Sequence, residues 1–325
     1  MNAEWEDPRA ALDRAAKVIE DADLVALACH VNPDGDALGS MLALHHTLLS
    51  DGRRSIASFP EPFVVAPHYR DLPGLDLLVP PSEFPSAPDV MITFDCGSMD
   101  RLGGLQPSAE AAKELIVLDH HVSNDRYGTI NVIDQHAAAT GVVVRDLIGS
   151  LGLPLTDRSA VAIYTALVCD TGRFQYETTT PEVFALAGEL LQYDVPVARL
   201  SRTLFEEHRF AYIQLLGEAL ANAVLVSEKR FVWTSVTQKM LAHHDVNVEE
   251  VEGLIDIVRR TLEADVACVI KEEADGTLKV SLRSVGDTDV QCIASANGGG
   301  GHRFAAGFSS SSSIAETAEI ILAAL

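Results

Sequence analysis

The sequence predicts an α/β protein with a parallel-sheet first domain, a helical linker and a smaller α+β second domain. Its first half alternates short apolar runs with helical patterns, which is typical of a parallel sheet covered by helices on both faces. Its second half contains apolar runs separated by short polar turns, which indicate β-hairpins. A chain of 325 residues is also long enough for about two domains, each with its own core.

Strands and helices are predicted in alternation in the first domain, which we place at residues 1–196. The strands are short apolar runs at residues 24–29, 90–94 and 115–118. The helices are patterns with apolar residues at helical spacing, at residues 37–49, 141–151 and 158–168. Polar residues directly after the strands of a parallel sheet line its ligand crevice, so functional side chains are expected there.

The linker and the second domain follow from the rest of the pattern. Residues 197–223 are charged, carry apolar residues at helical spacing and are predicted to form one connecting helix. The second domain, residues 224–325, is predicted to contain two hairpins, which join residues 224–226 to 231–236 and 266–271 to 278–283. Ser313 and Glu316 have the spacing of a capping box, which predicts a final helix ending at Leu325.

The charge of the chain limits its partners. It carries 24 Lys and Arg against 47 Asp and Glu, a formal net charge of −23. Long duplex nucleic acid is bound mainly through Lys and Arg, so that class is excluded, whereas short anionic ligands held by local cations are not. No apolar stretch reaches the roughly 18 residues that a membrane-spanning helix needs, and the acidic amino terminus is unlike a signal peptide. We therefore expect a cytoplasmic protein with no membrane partner.

The cysteines predict neither a disulfide framework nor a zinc knuckle. They are odd in number and form no CxxC pair. We expect all of them to be buried thiols: Cys29, Cys96, Cys169, Cys268 and Cys292.

The loop after the first predicted strand carries the potential metal ligands His30, Asp34 and Asp36. Pro33 and Gly35 interrupt regular structure and allow the backbone to turn tightly enough for these side chains to converge. A simpler interpretation is that Asp34 or Asp36 only caps the helix that follows, which is a common role for aspartate.

Further ionisable residues stand directly after the other predicted strands and after one helix. They are Asp95, Asp119, His120, His121 and Asp170. Burying several carboxylates side by side costs several kcal/mol each unless a cation compensates them. Aspartate oxygens mixed with imidazoles favour Mn²⁺, with Mg²⁺ or another divalent ion as the alternative, and the number of ligands favours two ions. Two ions that share a carboxylate suit displacement at phosphorus, so this set predicts phosphoester hydrolysis.

Candidate anchors for a substrate phosphate lie mainly in the second domain. They are Arg283, Gly299, Gly300, Gly301, His302 and, in the first domain, Arg101. A guanidinium can hold two phosphate oxygens at once, and a glycine run can turn its backbone amides towards an anion. The alternative for the glycine run is a flexible linker, and the alternative for Arg101 is an ordinary surface arginine.

These residues together resemble the motifs of the DHH phosphoesterases. The four motifs of that family are matched in order by His30–Ser40 (HxxPDxDAxGS), by Asp95, by Asp119-His120-His121 and by Asp170. In the second domain, Arg283 and the segment Gly299–His302 are similar to the first type of DHH-associated domain. The resemblance covers nearly the whole chain and implies an active site in a cleft between the two domains.

The resemblance also implies a role for each ligand. One ion would be held by His30, Asp34 and Asp95, and the other by Asp36, Asp95, His120 and Asp170. Asp95 would then bridge the ions, His121 would face the scissile phosphate, and Asp119 would support the histidine pair.

Within the family, the compact length resembles the branch of oligoribonucleases that also remove the 3′-phosphate from pAp. The resemblance implies hydrolysis of short RNA and of linear dinucleotides such as pApA to 5′-mononucleotides, with cyclic dinucleotides as further substrates in some members. It also implies a homodimer formed through the first domain. Two other functions stay open, namely an inorganic pyrophosphatase or short-chain polyphosphatase, and a catalytically idle nucleotide sensor.

Overall fold

The computed structural model describes residues 7–325 of the chain. The chain divides into two compact units, the first ending at Leu204 and the second spanning Phe205–Leu325. The division falls inside the segment predicted as the connector. None of the helices described between residues 7 and 325 combines the length and the apolar character that crossing a bilayer requires.

The first unit is built on a five-stranded sheet in which every pair of neighbours is parallel. The strands are β1 (Val25–Cys29), β2 (Ser55–Ser58), β3 (Val90–Phe94), β4 (Glu114–Asp119) and β5 (Ile130–Ile133), in the order β2-β1-β3-β4-β5. The parallel sheet and its three central strands are confirmed. Strands β2 and β5 were not predicted, because each is an edge strand of only four residues that includes polar positions.

Helices surround this sheet. They are α1 (Pro8–Glu20), α2 (Gly35–Ser50), α3 (Gln106–Ala111), α4 (Thr140–Ser150), α5 (Asp157–Asp170), α6 (Pro181–Leu190) and α7 (Val197–Phe205). The three predicted helices correspond to α2, α4 and α5. Helix α5 begins with a capping box between Thr156 and Ser159. Helix α2 contacts β1 and β3, and α4 contacts β4, so both pack against the centre of the sheet.

The second unit contains a mixed sheet of six strands. Its elements are α8 (Phe210–Ala221), β6 (Val224–Val226), β7 (Phe231–Val236), α9 (Gln238–His244), α10 (Leu254–Val258), β8 (Val266–Glu272), β9 (Leu278–Ser284), α11 (Val290–Ala296), β10 (Gly300–His302), β11 (Ala305–Ser310) and α12 (Ile314–Ala324). The order is β10-β11-β9-β8-β7-β6, and only β7 and β8 pair in parallel. Both predicted hairpins, β6–β7 and β8–β9, are confirmed.

Both faces of the second sheet are covered. On β8, Ala267 and Val269 pack into a core with α8, α9 and α10. Cys268 and Ile270 point the other way, into a core with α11 and α12. The final helix begins at the capping box that the sequence predicted, because the Ser313 hydroxyl accepts from Glu316 N and the Glu316 carboxylate accepts from Ser313 N.

The prediction of a single helix at residues 197–223 is wrong. Helix α7 ends at Phe205 and α8 begins at Phe210. The four residues between them are charged or polar and exposed, namely Glu206, Glu207, His208 and Arg209. With no apolar side chain to bury, this segment gains nothing from continuing the packed face of either helix.

The prediction that all cysteines are buried holds for three of the five. Cys29, Cys96 and Cys268 are buried, whereas Cys169 is half-buried and Cys292 is exposed, and each is a free thiol. Cys292 lies in the first turn of α11, where Val290 and Ile293 face the core and Cys292 points away from it.

Close packing of α2 against α5 depends on Gly39. A Cβ atom placed on Gly39 would lie 2.5 Å from the carbonyl oxygen of Ala162, in the backbone of α5. We expect Gly39→Ala to lower the free energy of unfolding by about 1 to 3 kcal/mol, because the helices must move apart. Urea unfolding followed by circular dichroism measures the change.

Gly188 provides the matched control for this substitution. It is an exposed helical glycine in α6, and a Cβ atom there would meet no other atom within 4 Å. Gly188→Ala should leave stability unchanged or raise it by about 0.5 to 1 kcal/mol, since alanine favours the helix. Equal losses from the two substitutions would contradict the packing argument.

Candidate metal centre

Ionisable side chains gather at the carboxyl edge of the first sheet. The strand register aligns Cys29 of β1 with Phe94 of β3, and Phe94 with Leu118 of β4. The next residue on each strand is therefore at the same level, and these residues are His30, Asp95 and Asp119. The amino-terminal end of α2 adds Asp34 and Asp36, His120 and His121 follow β4, and α5 ends with Asp170. The strand-end geometry explains how residues far apart in sequence form one site.

One group of potential ligands consists of His30, Asp34 and Asp95, whose ligand atoms all lie within 4.8 Å of one another. The His30 ring nitrogen Nδ1 donates to the carbonyl oxygen of Val31 at 2.8 Å. A carbonyl can only accept, so the lone pair of His30 is on Nε2. This Nε2 lies 3.6 Å from Asp95 Oδ2, so it points into the group.

A second group consists of Asp36, His120 and Asp170, again within 4.8 Å. His120 Nδ1 donates to the carbonyl oxygen of Ala137 at 3.1 Å, which directs Nε2 to the carboxylates. This Nε2 lies 3.1 Å from Asp170 Oδ2, 3.7 Å from Asp36 Oδ2 and 3.6 Å from Asp95 Oδ1. Asp95 therefore directs Oδ2 to the first group and Oδ1 to the second.

Asp119 holds the histidine pair in place. It is fully buried, and its Oδ1 accepts from the backbone nitrogens of His120 and His121 at 2.7 and 3.1 Å. The same oxygen accepts from His121 Nδ1 at 2.7 Å. The opposite ring nitrogen of His121, Nε2, is thereby directed away from Asp119.

The amino terminus of α4 orients two of the carboxylates, and sequence reasoning missed it. The backbone nitrogens of Thr140 and Gly141 donate to Asp36 at 2.6 and 3.0 Å, and the Thr140 hydroxyl donates to Asp95 Oδ1 at 3.0 Å. Ala139, at the cap position of α4, has no side-chain acceptor. Asp36, in the first turn of α2, accepts from the first amides of α4 in its place. The one signal in the sequence was a helix start at Thr140 without a local capping side chain.

Both interpretations of Asp34 agree with the structure. Its Oδ1 accepts from the backbone nitrogens of Asp36 and Ala37 at 3.1 and 3.0 Å, so it caps α2. Its carboxylate also lies within the group that contains His30 and Asp95. A carboxylate held by a cap is fixed in direction, which suits a ligand.

The backbone of Asp95 is also unusual, with a φ of +54° in the left-handed region. Such a conformation is uncommon for residues other than glycine and persists where the surrounding structure imposes it. It turns the chain sharply after β3 and aims the Asp95 side chain between the two groups.

Burial and mutual repulsion set the electrostatics of the carboxylates. Burial raises the pKa of Asp36 well above its usual value, and the neighbouring Asp95 carboxylate adds to the shift. Burial would raise the pKa of Asp95 too, but the imidazoles around it, that of His121 first, hold that pKa below the ordinary value. Asp95 is therefore ionised and compensated by its neighbours.

The pKa values of His120 and His121 are shifted against the effect of burial. Burial favours the neutral ring, yet Asp170 and the other nearby carboxylates raise the pKa of His120 well above its usual value. Against the same effect of burial, Asp95 and Asp119 raise the pKa of His121 to about 9. The centre thus attracts positive charge, and its aspartate oxygens and imidazole nitrogens fit divalent cations.

Arg101 lies close to this edge of the sheet. It belongs to the 3₁₀ segment Met99–Leu105, which follows Asp95, and its carbonyl oxygen accepts from Val31 N at 2.9 Å. The bond ties that segment to the loop that carries His30. Arg101 is half-buried.

In the second unit the end of the glycine run forms a strand, which the sequence did not predict. Gly300–His302 is the edge strand β10, paired with β11, so the flexible-linker alternative is wrong for these residues. A Cβ atom on Gly301 would lie 2.5 Å from the carbonyl oxygen of Ala305, and one on Gly299 would collide with that of Gly307. The glycines are therefore required for the close approach of β10 to β11.

The strand register also brings Arg283 and His302 into one row. His302 pairs with Ala305, and Ala305 pairs with Arg283 on the next strand, so both side chains lie on one face of the sheet. Arg283 Nη1 donates to the Leu282 carbonyl oxygen at 3.0 Å, and its buried Nε has no hydrogen-bond acceptor among residues 7–325. This guanidinium is only partly satisfied by the protein.

Comparison with known proteins agrees with this geometry. Residues 24–181 match the DHH family, N-terminal domain, and residues 229–325 match the DHHA1 domain. The chain is 33% identical over 284 residues to the bifunctional oligoribonuclease and PAP phosphatase NrnA of Thermus thermophilus, covering 87% of this chain and 83% of that protein.

The chain belongs to the DHH family of phosphoesterases. A bifunctional oligoribonuclease and PAP phosphatase NrnA of Bacillus subtilis is 28% identical, with 88% of this chain and 89% of that protein covered. Among solved structures, an exopolyphosphatase-related protein from Bacteroides fragilis superposes with a TM-score of 0.88 at 24% identity, covering 97% of this chain and 95% of that one. That likeness shows the fold shared by this DHH protein.

Thr140 allows a test of how the carboxylates are oriented. Thr140→Val keeps the shape of the side chain but removes the hydroxyl that donates to Asp95. We expect divalent-metal affinity to fall about tenfold, because partners that orient ligand groups contribute on this scale. Titration with Mn²⁺ followed by electron paramagnetic resonance measures the dissociation constant.

Thr47→Val is the matched control. Thr47 is equally buried, but its hydroxyl donates at 2.9 Å to the carbonyl oxygen of Ala43 inside α2. Its metal affinity should equal that of the unaltered protein. A Thr140 variant with unchanged affinity would argue against an orienting role for α4.

Proposed function

We propose that this chain is a metal-dependent phosphoesterase that hydrolyses short oligoribonucleotides and linear dinucleotides such as pApA to 5′-mononucleotides, and pAp to AMP. The observation that carries the proposal is the position of Asp95, which directs one carboxylate oxygen to each of two groups of potential metal ligands. Two ions that share a carboxylate suit displacement at phosphorus. The names of the curated relatives support the choice of substrates.

Two Mn²⁺ ions are proposed to occupy the centre, with Mg²⁺ or another divalent ion as the alternative. One ion would be held by His30, Asp34 and Asp95. The other would be held by Asp36, Asp95, His120 and Asp170. Hard carboxylate oxygens mixed with imidazole nitrogens support this choice of metal.

The chemistry divides between the ions and the chain. When bound, divalent ions neutralise phosphate charge and lower the pKa of a coordinated water. Asp119 fixes the tautomer and direction of His121, so that His121 Nε2 can interact with a phosphate oxygen of the substrate. Thr140 and Gly141 keep Asp36 from rotating. The side chains thus need little rearrangement when substrate arrives.

Substrate phosphates are proposed to be anchored by a small set of groups: Arg101, Arg283, Gly299, Gly300, Gly301 and His302. The partly satisfied Arg283 guanidinium can still donate to phosphate oxygens. An edge strand such as β10 presents backbone amides on its outer side, which supports anion binding there. The net charge of −23 disfavours long RNA, whose further phosphates would meet an acidic surface.

A homodimer formed through the first unit is proposed from the family resemblance. The chain is also proposed to work in the cytoplasm.

A product assay tests the substrate class. The protein is incubated with pAp, pApA, cyclic di-AMP, pyrophosphate and RNA ladders, each with Mn²⁺ and with chelator. We expect AMP from pAp and pApA, little cleavage of long RNA, and no product with chelator. Phosphate from pyrophosphate alone would identify a pyrophosphatase. Tight dinucleotide binding without turnover would identify a nucleotide sensor.

Asp95→Asn tests the bridging carboxylate. It keeps the shape of the side chain but removes its charge, so turnover of pAp should fall at least about 10³-fold. Asp89→Asn is the control, because Asp89 pairs with Lys113 on the surface and its side chain is 62% exposed. Wild-type turnover by the Asp95 variant in Mn²⁺ would refute the shared-carboxylate scheme.

Arg283→Ala tests the anchor. Loss of a charge-assisted hydrogen bond should raise KM for pAp by about 10-fold to 100-fold, with kcat changed far less. Arg230→Ala is the control, since Arg230 forms an exposed ion pair with Asp265. Steady-state kinetics separate the two parameters, and an unchanged KM would remove Arg283 from the substrate site.

A further inference from the structure

Two side chains tie the loop between β4 and β5 to the turn that follows β3. The Asn124 amide nitrogen donates to Asp119 Oδ2 at 2.5 Å and to the carbonyl oxygen of Cys96 at 3.2 Å. The Tyr127 hydroxyl donates to the same carbonyl oxygen at 3.0 Å. Cys96 directly follows Asp95, so this one carbonyl links the turn that carries Asp95 to the loop that follows the histidine pair.

The orientation of the Asn124 amide is fixed by its partners. Both contacts of Nδ2 are acceptors, and Oδ1 accepts from the backbone nitrogen of Arg126 at 2.6 Å. A flipped amide would place its oxygen against the Asp119 carboxylate and its nitrogen against a backbone donor. Asparagine therefore fits here as a donor to Asp119.

Tyr127 connects the same contact to the sheet. Its single hydroxyl hydrogen is given to Cys96, so its oxygen accepts from the Thr93 hydroxyl at 2.9 Å. Thr93 is fully buried on β3. Burial raises the pKa of Tyr127 well above its usual value, which keeps the hydrogen on the phenol.

The contact at Asp119 has consequences for the metal centre. Asp119 Oδ1 accepts three hydrogen bonds from the histidine pair, and Asn124 donates to the other oxygen, Oδ2. The two oxygens belong to one rigid carboxylate, so the donor on Oδ2 also fixes the direction of Oδ1. Through Oδ1 it fixes the backbone and ring of His121 and the backbone of His120.

We propose that Asn124 is a positioning residue of the metal centre, which sets His120 and His121 relative to Asp95 by holding Asp119 and the Cys96 carbonyl together. Tyr127 supports it by fixing the same carbonyl to β3. The part of this proposal that concerns the reaction of His121 rests on the proposed function. The part that concerns the placement of His120 is a statement about ion binding.

Asn124→Asp is the decisive variant. It keeps the size of the side chain but replaces the donor nitrogen with an oxygen that faces Asp119 Oδ2. We expect the Mn²⁺ dissociation constant to rise about 10-fold to 100-fold, and kcat for pAp to fall by a similar factor, with KM changed less than about threefold. Electron paramagnetic resonance measures the first quantity and steady-state kinetics the others.

Asn131→Asp is the matched control in the same region. The Asn131 side chain accepts from Gly128 N at 3.0 Å and donates to Gly128 O at 2.8 Å, so the substitution removes a structural hydrogen bond outside the metal centre. Its Mn²⁺ affinity and kcat should stay at wild-type values even if its melting temperature falls. Equal losses in the two variants would reduce the role of Asn124 to loop stability and overturn the proposal.

If the Asn124 variant does not fold, Tyr127→Phe tests the same proposal. It removes only the hydroxyl, and we expect Mn²⁺ binding to weaken about threefold, in the same direction. Unchanged Mn²⁺ binding in the folded variants would overturn the proposal. A wild-type protein that binds Mn²⁺ but hydrolyses neither pAp nor dinucleotides would refute the proposed function, while the ratio of Mn²⁺ dissociation constants would still decide the role of Asn124.

Discussion

The need to compensate buried negative charge governs the first unit. Asp36 is fully buried and Asp95 is 2% exposed, and both lie beside further aspartates. Their charge is met by backbone and hydroxyl donors of α4, by the imidazoles of His120 and His121 and, in the proposed function, by divalent ions. These compensating groups belong to α4 and to the loop after β4, so the charge of the site holds separate parts of the fold in place.

The parallel sheet is what makes this concentration of charge practicable. Because β1, β3 and β4 end at one level, residues that are more than sixty positions apart in sequence meet at one edge of the sheet. The loops that carry the site residues are fixed in different ways. The loop after β1 is held by the cap that Asp34 provides for α2, and the loop after β4 is held by the contacts of Asn124 and Tyr127.

The sequence was informative where a local pattern has one dominant physical cause. Short apolar runs located the central strands, and the ionisable residues after them proved to be close in space. Their ligand roles stay a prediction. Thr140 and Asn124 were missed because their importance arises from contacts made in the folded state. Thr140 donates to a carboxylate 104 positions away, and Asn124 to a carbonyl 28 positions away. Strand β10 was not predicted, since glycines that give clearance between two strands have the same sequence pattern as glycines in a turn.

The capping of α4 by Asp36 has a consequence for both the helix and the carboxylate. Asp36 Oδ1 also accepts from the Ser40 hydroxyl at 2.9 Å, so hydrogen bonds that involve no ion already hold this carboxylate. Each partner therefore stabilises the other: the first amides of α4 gain an acceptor, and groups of the protein itself keep the Asp36 carboxylate in one rotamer.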